Sequence, residues 1–298
     1  RNMDDLRHSY ALDGLRGLAA YIVVLSHFPP QQWLLNGFFW KGAGHIGVML
    51  FFVLSGFLMS KLYLSSPLTK SKFRSFAVKR ISRVAPLYLA VVIISLAFSY
   101  WLQDKTPFYD ISSENLFPHL TFQKGVSVLW TIPVEVQFYA LFPLLWLSFA
   151  KFGNSFFAIT TIMLISVVLF GYPTAPVLLS YLPFFLIGVL AAFIKLESNM
   201  LTEICFVFLI FFFFISLPVP RTWLGFAPVG TWKSPMYMFL IPSLLLTTLY
   251  SKVALKVLGN RIMVYLGNIS YSVYLLHIPV LIYIVKFTDL DKSNPYFF

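Results

Sequence analysis

The sequence predicts an all-α fold, a polytopic bundle of transmembrane helices, and two observations carry this prediction. Of the 298 residues, 59% are hydrophobic and only 11% are charged, whereas soluble globular proteins carry roughly 25% charge. Apolar runs of about 20 residues, the length that a helix needs to cross a bilayer, follow one another along the chain. We therefore expect residues 1–298 to form a single transmembrane domain.

Nine apolar runs are counted as spans, and turn residues separate neighbouring runs. Gly171 and the two prolines that follow it, Pro173 and Pro176, divide one long uncharged stretch into two spans. The nine predicted spans are residues 11–28, 44–63, 82–102, 128–149, 155–171, 178–194, 203–218, 236–250 and 264–287.

The distribution of lysine and arginine predicts that the N-terminus is cytoplasmic, because cytoplasmic loops carry the excess of these residues. In this orientation fifteen of the twenty-two fall on the cytoplasmic side. The basic residues behind the net charge of +11 then act as topology signals and as sites for anions. It does not require a nucleic-acid partner, and we expect none.

Cysteine and metal chemistry have little support in the sequence. The chain has one cysteine, Cys205, so a disulfide framework is excluded. Cys205 lies within an apolar run. His8, His45 and His119 lie near predicted interfaces with no motif around them. No spacing of histidines and carboxylates is typical of a metal site, so we expect no metal.

The first predicted span carries Arg16 and His27, which are eleven residues apart. At about 100° per residue both lie on one helical face, about 16 Å apart along the axis. Ionisable residues within a span are costly and indicate a functional site. The alternative is that Arg16 extends to the cytoplasmic interface and His27 ends the helix before Pro29 and Pro30.

Six basic residues precede the apolar part of the third span. Among them, Arg80 and Arg83 are three residues apart and share a helical face, and paired guanidiniums bind phosphates in a bidentate manner. The pair suits the diphosphate or ribose phosphate of coenzyme A. The alternative is a positively charged flank that contacts lipid headgroups. The six are Lys70, Lys72, Arg74, Lys79, Arg80 and Arg83.

Glu135 is the one charged residue of the fourth span. A carboxylate within a membrane needs a partner, either His27 or an arginine, so a purely structural Glu–Arg bridge is an alternative to a catalytic role. Thr131 and Tyr139 lie four residues to either side, on the same face. In the last span, His277 either assists catalysis or is a hydrogen-bonded structural histidine.

Five stretches, in this order, resemble the acyltransferase-3 family of integral membrane acyltransferases, and the resemblance spans nearly the whole chain. They are Arg-x10-His at Arg16 and His27, Gly-Val-x-Leu-Phe-Phe-Val-Leu-Ser-Gly-Phe-Leu at residues 47–58, Arg-x-x-Arg at Arg80 and Arg83, a Ser-x-x-x-Glu-x-x-x-Tyr-like block around Glu135, and Tyr-Ser-x-Tyr-Leu-x-His at residues 271–277.

The chain departs from the family pattern at three positions. Met49 stands where many relatives have an acidic residue, Thr131 replaces the usual serine, and Val136 stands where a second glutamate is common. Relatives usually have about ten spans, with a final helix after the histidine block. We therefore expect that helix beyond residue 298, or one span too few in the count.

The resemblance implies transfer of an acetyl or other short acyl group from cytoplasmic acetyl-CoA to a hydroxyl of a cell-surface glycan or lipid-linked sugar, at a bacterial inner (plasma) membrane. His27 would act as general base or carry the acetyl group covalently, and Glu135 would hold the imidazole tautomer. The implied site residues are His27, Glu135 and Arg16 for catalysis, Arg80, Arg83 and Arg16 for coenzyme A, and Thr131, Tyr139 and His277 as further candidates.

Two other classes of protein are alternatives. In a transporter or flippase, Arg16, His27 and Glu135 would line a pathway for a substrate or for protons, and no coenzyme A would bind. In a non-catalytic membrane scaffold the same residues would form buried ion pairs. Neither class predicts a cytoplasmic arginine pair together with an intramembrane histidine and carboxylate.

Overall fold

The computed structural model describes residues 3–28, 37–40, 42–102, 108–170, 177–227 and 234–288. Within these ranges every regular element is helical, which confirms the all-α prediction. The helices are α1 (Met3–Ser26), α2 (Ala43–Met59), α3 (Lys70–Leu102), α4 (Ser113–Leu120), α5 (Thr131–Phe152), α6 (Ser155–Phe170), α7 (Leu178–Ala191), α8 (Met200–Ile215), α9 (Pro218–Trp223), α10 (Pro235–Tyr250), α11 (Lys252–Leu258) and α12 (Arg261–Thr288). A π-helical turn, Ser60–Leu64, continues α2, and a 3-10 turn, Ser127–Trp130, leads into α5.

Each of the nine predicted spans coincides with a helix, and the chain is an integral membrane protein. Helices α6, α7 and α8 are apolar but shorter, with 16, 14 and 16 residues. A bent pair, α10 and α11 at 95°, counts as one more span if it crosses as a unit. Four stretches of the described chain are long and apolar enough to cross a membrane, namely Ala43–Leu64, Lys70–Trp101, Ser127–Phe152 and Arg261–Ile284.

The helix of the third predicted span begins earlier than its apolar part. α3 starts at Lys70, twelve residues before the predicted boundary, and includes all six basic residues. Lysine and arginine are good helix formers, and the first proline of this stretch is Pro86. Two of the sequence predictions concern residues outside the described ranges. They are the end of the first helix before Pro29 and Pro30, and the turn at residues 171–176.

The chain divides into two compact units. The first unit comprises Arg1–Met59 and Phe184–Tyr274, and the second comprises Ser60–Pro183 and Leu275–Phe298. The boundaries therefore fall within α7 and α12. That the whole chain acts as one domain stays a prediction.

In the first unit, α1 packs against α2, α10 and α11. Small residues allow the helix backbones to come close together. A Cβ added at Gly17 of α1 would lie 2.8 Å from the backbone nitrogen of Gly267 in α12. A Cβ added at Gly47 would lie 2.6 Å from the carbonyl oxygen of Ala19. Such close contact between small residues is usual where membrane helices pack. It encloses the middle of α1, where Leu15 is fully buried.

In the second unit, α3 packs against α4 and α5. Buried aromatic rings fill the contact with α5: Phe76 stacks on Phe142 with 5.7 Å between ring centroids. The indole nitrogen of Trp146, also buried, donates a 2.6 Å hydrogen bond to the carbonyl oxygen of Ser66. This bond fixes α5 to the connection that precedes α3, so the two helices hold a defined register.

Candidate active site

The second unit brings together the two arginines and the motif of the fourth span. Arg80 and Arg83 project from α3, and both lie close enough to Tyr139 of α5 for their charges to act on its hydroxyl group. Tyr139 donates a hydrogen bond to Oε1 of Glu135, one helical turn earlier. Four predicted site residues therefore form one cluster, which we call the Arg80 cluster.

Helical spacing places each member of the Arg80 cluster. Residues three or four apart share a face of a helix, which aligns Arg80 with Arg83 on α3 and Glu135 with Tyr139 on α5. Tyr139 is buried at 6% exposure, and Glu135 is half-buried. Thr131, one turn before Glu135, donates its hydroxyl to the carbonyl oxygen of Val128, at 3.3 Å.

Within the described residues, no salt bridge engages the two guanidiniums of the Arg80 cluster. Among the described residues neither Arg80 nor Arg83 makes a salt bridge, so neither bridges to Glu135. The Nε atom of Arg80 is buried and has no hydrogen-bond acceptor within the described chain. A buried donor without an acceptor is costly, and a guanidinium pair suits an anion with several oxygens. The cluster therefore has the chemistry of a phosphate site.

Arg16 has a different setting, in the first unit. Its Nη1 atom makes a salt bridge of 3.1 Å with Oδ1 of Asp13, three residues earlier on α1. Both side chains are largely buried, at 15% and 24% exposure. The partner Asp13 was not singled out in the sequence, although the spacing of three residues on a helix indicates it. The charge of Arg16 is balanced locally.

His27 follows the last residue of α1 and is half-buried. Its Nδ1 atom lies 2.8 Å from the carbonyl oxygen of Val23. Because a carbonyl oxygen only accepts, Nδ1 carries the proton and the neutral ring has its lone pair on Nε2. Ser26 donates to the same carbonyl, at 2.7 Å. In the first unit, then, the last turn of α1 fixes the tautomer, and the same role for Glu135 stays a prediction.

A second histidine lies near His27. His45, in the first turn of α2, is close enough for the two imidazoles to interact electrostatically. Their proximity follows from the tight packing of α1 against α2, since a Cβ added at Gly44 would lie 2.5 Å from Oγ of Ser26. No motif surrounds His45 in the sequence. Among the described residues no group of three His, Cys, Asp or Glu side chains is arranged to hold a metal ion.

His277 belongs to the second unit and is buried, at 5% exposure. Its helix contains Pro279, which has no N–H to donate to the carbonyl oxygen of Leu275 four residues earlier. The hydroxyl of Tyr109 donates to that oxygen instead, at 2.8 Å. Tyr109 is itself 2% exposed. The position of Pro279 in the sequence already indicates that the Leu275 carbonyl lacks its usual helical donor. The donor that replaces it, Tyr109, comes from a distant segment.

Comparison with known families now adds to this geometry. Residues 9–298 match the model of a family that is described as an acyltransferase domain. A Staphylococcus aureus (strain MSSA476) protein named "Putative O-acetyltransferase SAS0844" is 25% identical over 334 residues, which cover 94% of this chain and 52% of that protein. The chain thus spans about half the length of this relative.

Two shorter matches carry more specific names. The peptidoglycan O-acetyltransferase OatA of Listeria monocytogenes is 26% identical over 160 residues, 47% of this chain and 24% of that protein. The O-acetyltransferase OatA of Staphylococcus aureus (strain NCTC 8325) is 28% identical over 156 residues, 46% of this chain and 24% of that protein. No solved structure matches the chain.

Proposed function

The chain belongs to this acyltransferase family, and from that premise we propose that it is an integral membrane O-acyltransferase. The donor is cytoplasmic acetyl-CoA, and the acceptor is a hydroxyl of a cell-surface glycan or lipid-linked sugar; the acyl group is acetyl or another short one. One observation carries the proposal: Arg80 and Arg83 form a pair of cations without a salt bridge inside the described chain, beside Tyr139 and Glu135.

The donor site is the Arg80 cluster. The diphosphate and ribose phosphate of coenzyme A present the oxygens that two guanidiniums bind. Arg83 is exposed and meets the phosphates from the aqueous side. Arg16 contributes less to donor binding, because Asp13 already balances its charge.

His27 is the catalytic base of the proposal. Its Nε2 atom takes the proton of the acceptor hydroxyl while that oxygen attacks the thioester carbonyl carbon. The new C–O bond forms, the C–S bond breaks, and the leaving thiolate receives the proton from the imidazolium. The bond from Nδ1–H to the Val23 carbonyl stabilises this imidazolium. In the alternative order, Nε2 attacks the thioester carbonyl carbon first, the C–S bond breaks and coenzyme A leaves as its thiolate. The acceptor hydroxyl then takes the acetyl group from Nε2, and its proton goes to the thiolate.

The proposal places the N-terminus in the cytoplasm of a bacterium and the chain in its inner (plasma) membrane. The excess of lysine and arginine on one side of the predicted spans supports this orientation. His27 then lies towards the outer end of α1, so the acyl group crosses the membrane while coenzyme A stays inside. Glu135 is proposed to support the imidazolium charge, with Thr131, Tyr139 and His277 as accessory residues.

The test is equilibrium binding of acetyl-CoA to purified protein, followed by an assay of coenzyme A release. We expect Arg80→Ala with Arg83→Ala to raise the Kd at least about tenfold, because hydrogen bonds to charged groups contribute about 1.5–3 kcal/mol each. Lys79→Ala, which removes an exposed cation of the same helix, is the matched control.

His27→Ala separates chemistry from binding in the same assays. We expect turnover to fall by about 10²–10⁴ with the Kd for acetyl-CoA nearly unchanged. Equal loss of binding in the His27 and arginine variants would contradict this division of roles. Folded wild-type protein that binds no acetyl-CoA would instead favour a transporter that uses Arg16, His27 and Glu135 as a pathway.

A further inference from the structure

A π-helical turn precedes the Arg80 cluster in the chain. Residues Ser60–Leu64 form this turn where α2 ends, in the second unit. π-turns are rare, shift the register of the side chains and occur frequently at functional sites. Here the shifted residue of interest is Tyr63, which is half-buried and was not singled out in the sequence. The turn therefore determines what this ring contacts.

Tyr63 rests on buried aromatic rings. Its ring centroid lies 5.1 Å from that of Phe76, in an edge arrangement, and 5.3 Å from that of Trp146. Phe142 follows at 6.2 Å. The three neighbours are at most 2% exposed, so they cannot move aside easily in a close-packed interior. The Tyr63 ring is thus held in a fixed orientation.

The guanidinium of Arg80 lies against this ring. Its Cζ atom is 5.6 Å from the Tyr63 ring centroid, within the range of a cation–π contact. An aromatic face restrains a guanidinium without occupying its N–H donors, whereas a carboxylate occupies two of them. A carboxylate at this position would also repel an incoming phosphate. Arg80 makes no salt bridge within the described chain, so no carboxylate occupies its donors.

We propose that Tyr63 is the positioning residue of the donor site: its ring holds the Arg80 guanidinium in the orientation that binds the phosphates of coenzyme A. This inference rests on the proposed function. It explains why a half-buried arginine is placed over an aromatic ring rather than in a salt bridge with an acid. It also assigns a purpose to the π-turn, which presents Tyr63 to α3.

The experiment compares Tyr63→Leu with Tyr63→Phe in acetyl-CoA binding and turnover. We expect Tyr63→Leu to raise the Kd and the KM about three- to tenfold with kcat unchanged, whereas Tyr63→Phe stays within about twofold because the ring face is kept. Phe149→Leu, which alters a separate aromatic contact with Phe156, controls for general loss of packing. If Tyr63→Leu does not fold, Tyr63→Met replaces it.

A double-mutant cycle decides between positioning and mere packing. Tyr63→Leu should have no further effect on the Kd in an Arg80→Ala background, and its full effect in an Arg83→Ala background. Additive losses with Arg80→Ala, or a Tyr63→Phe variant as weak as Tyr63→Leu, would overturn the inference and leave the proposed function standing. Folded wild-type protein without acetyl-CoA binding would overturn both.

Discussion

Arg16 in α1 and Arg80 in α3 are both half-buried arginines, yet only one of them is paired with a carboxylate in a salt bridge. Arg16 makes a 3.1 Å salt bridge with Asp13 on its own helix. Arg80 makes no salt bridge within the described chain and lies over the ring of Tyr63. A cation with its own carboxylate stabilises the fold at best, whereas one without a carboxylate is available to an external anion. The setting, rather than the residue type, separates structural from binding arginines.

The histidines show a related contrast. His119, in the last turn of α4, uses both ring nitrogens: Nδ1 donates to the carbonyl oxygen of Asn115 at 2.7 Å, and Nε2 accepts from the backbone N–H of Val126 at 3.1 Å. It is 1% exposed, as a structural histidine should be. His27 is half-buried, and its bond to the Val23 carbonyl engages Nδ1. Burial therefore separates the structural histidine from the proposed catalytic one.

Removal of Arg16 should have the largest effect on stability. Arg16→Ala leaves Asp13 largely buried, so we expect the free energy of unfolding to fall by about 2 kcal/mol, between the values for exposed and buried pairs. Denaturant unfolding of the purified protein in detergent measures it. Adding Asp13→Asn should recover part of the loss. An Arg16→Ala variant of normal stability that binds acetyl-CoA as poorly as Arg80→Ala would contradict the contrast.

Giving Arg80 the environment of Arg16 should impair donor binding. Asp13 lies three residues before Arg16, and Ala77 lies three residues before Arg80, on the same face of α3. We expect Ala77→Asp to pair with Arg80, to compete with the phosphates and to raise the Kd for acetyl-CoA about tenfold. Ala77→Asn, which has the same size and no charge, is the control. Equal Kd values for the two variants would show that Arg80 binds the donor equally well when a carboxylate pairs with it.

The positions of the nine spans followed from local sequence, because each apolar run is bounded by charged residues or by glycine and proline. The same holds within a helix: the spacing of Arg80 with Arg83 and of Glu135 with Tyr139 already placed each pair on one face. The contact between the two pairs depends on how α3 packs against α5. The sequence offered an arginine only as one of two possible partners of Glu135, the other being His27.

Other contacts depend on tertiary packing that no local pattern encodes. The contact of Tyr63 with Arg80 depends on the π-turn that carries the ring and on the packing of the surrounding side chains. The bond from Tyr109 to the Leu275 carbonyl joins residues 166 positions apart. Asp13 is different, since its spacing to Arg16 was readable and was overlooked. Tertiary partners, rather than helices, are what the sequence left undetermined.

The smallest expected effect distinguishes the two arginines of the donor site from each other. Arg83 is exposed and Arg80 is half-buried with a buried Nε. The Debye length shortens from about 10 Å at 0.1 M salt to about 3 Å at 1 M, so salt screens exposed charges more than buried ones. We therefore expect the loss of acetyl-CoA affinity in Arg83→Ala to shrink about two- to threefold over this range.

The loss of affinity in Arg80→Ala should change little over the same range of salt. The measurement is the ratio of variant to wild-type Kd in titrations at the two salt concentrations, which cancels the salt dependence that both proteins share. Lys79→Ala, another exposed cation of α3, reports the part due to net charge alone. If both ratios shrink equally, the two guanidiniums meet the phosphates in the same aqueous setting, and the ring of Tyr63 does not shelter Arg80.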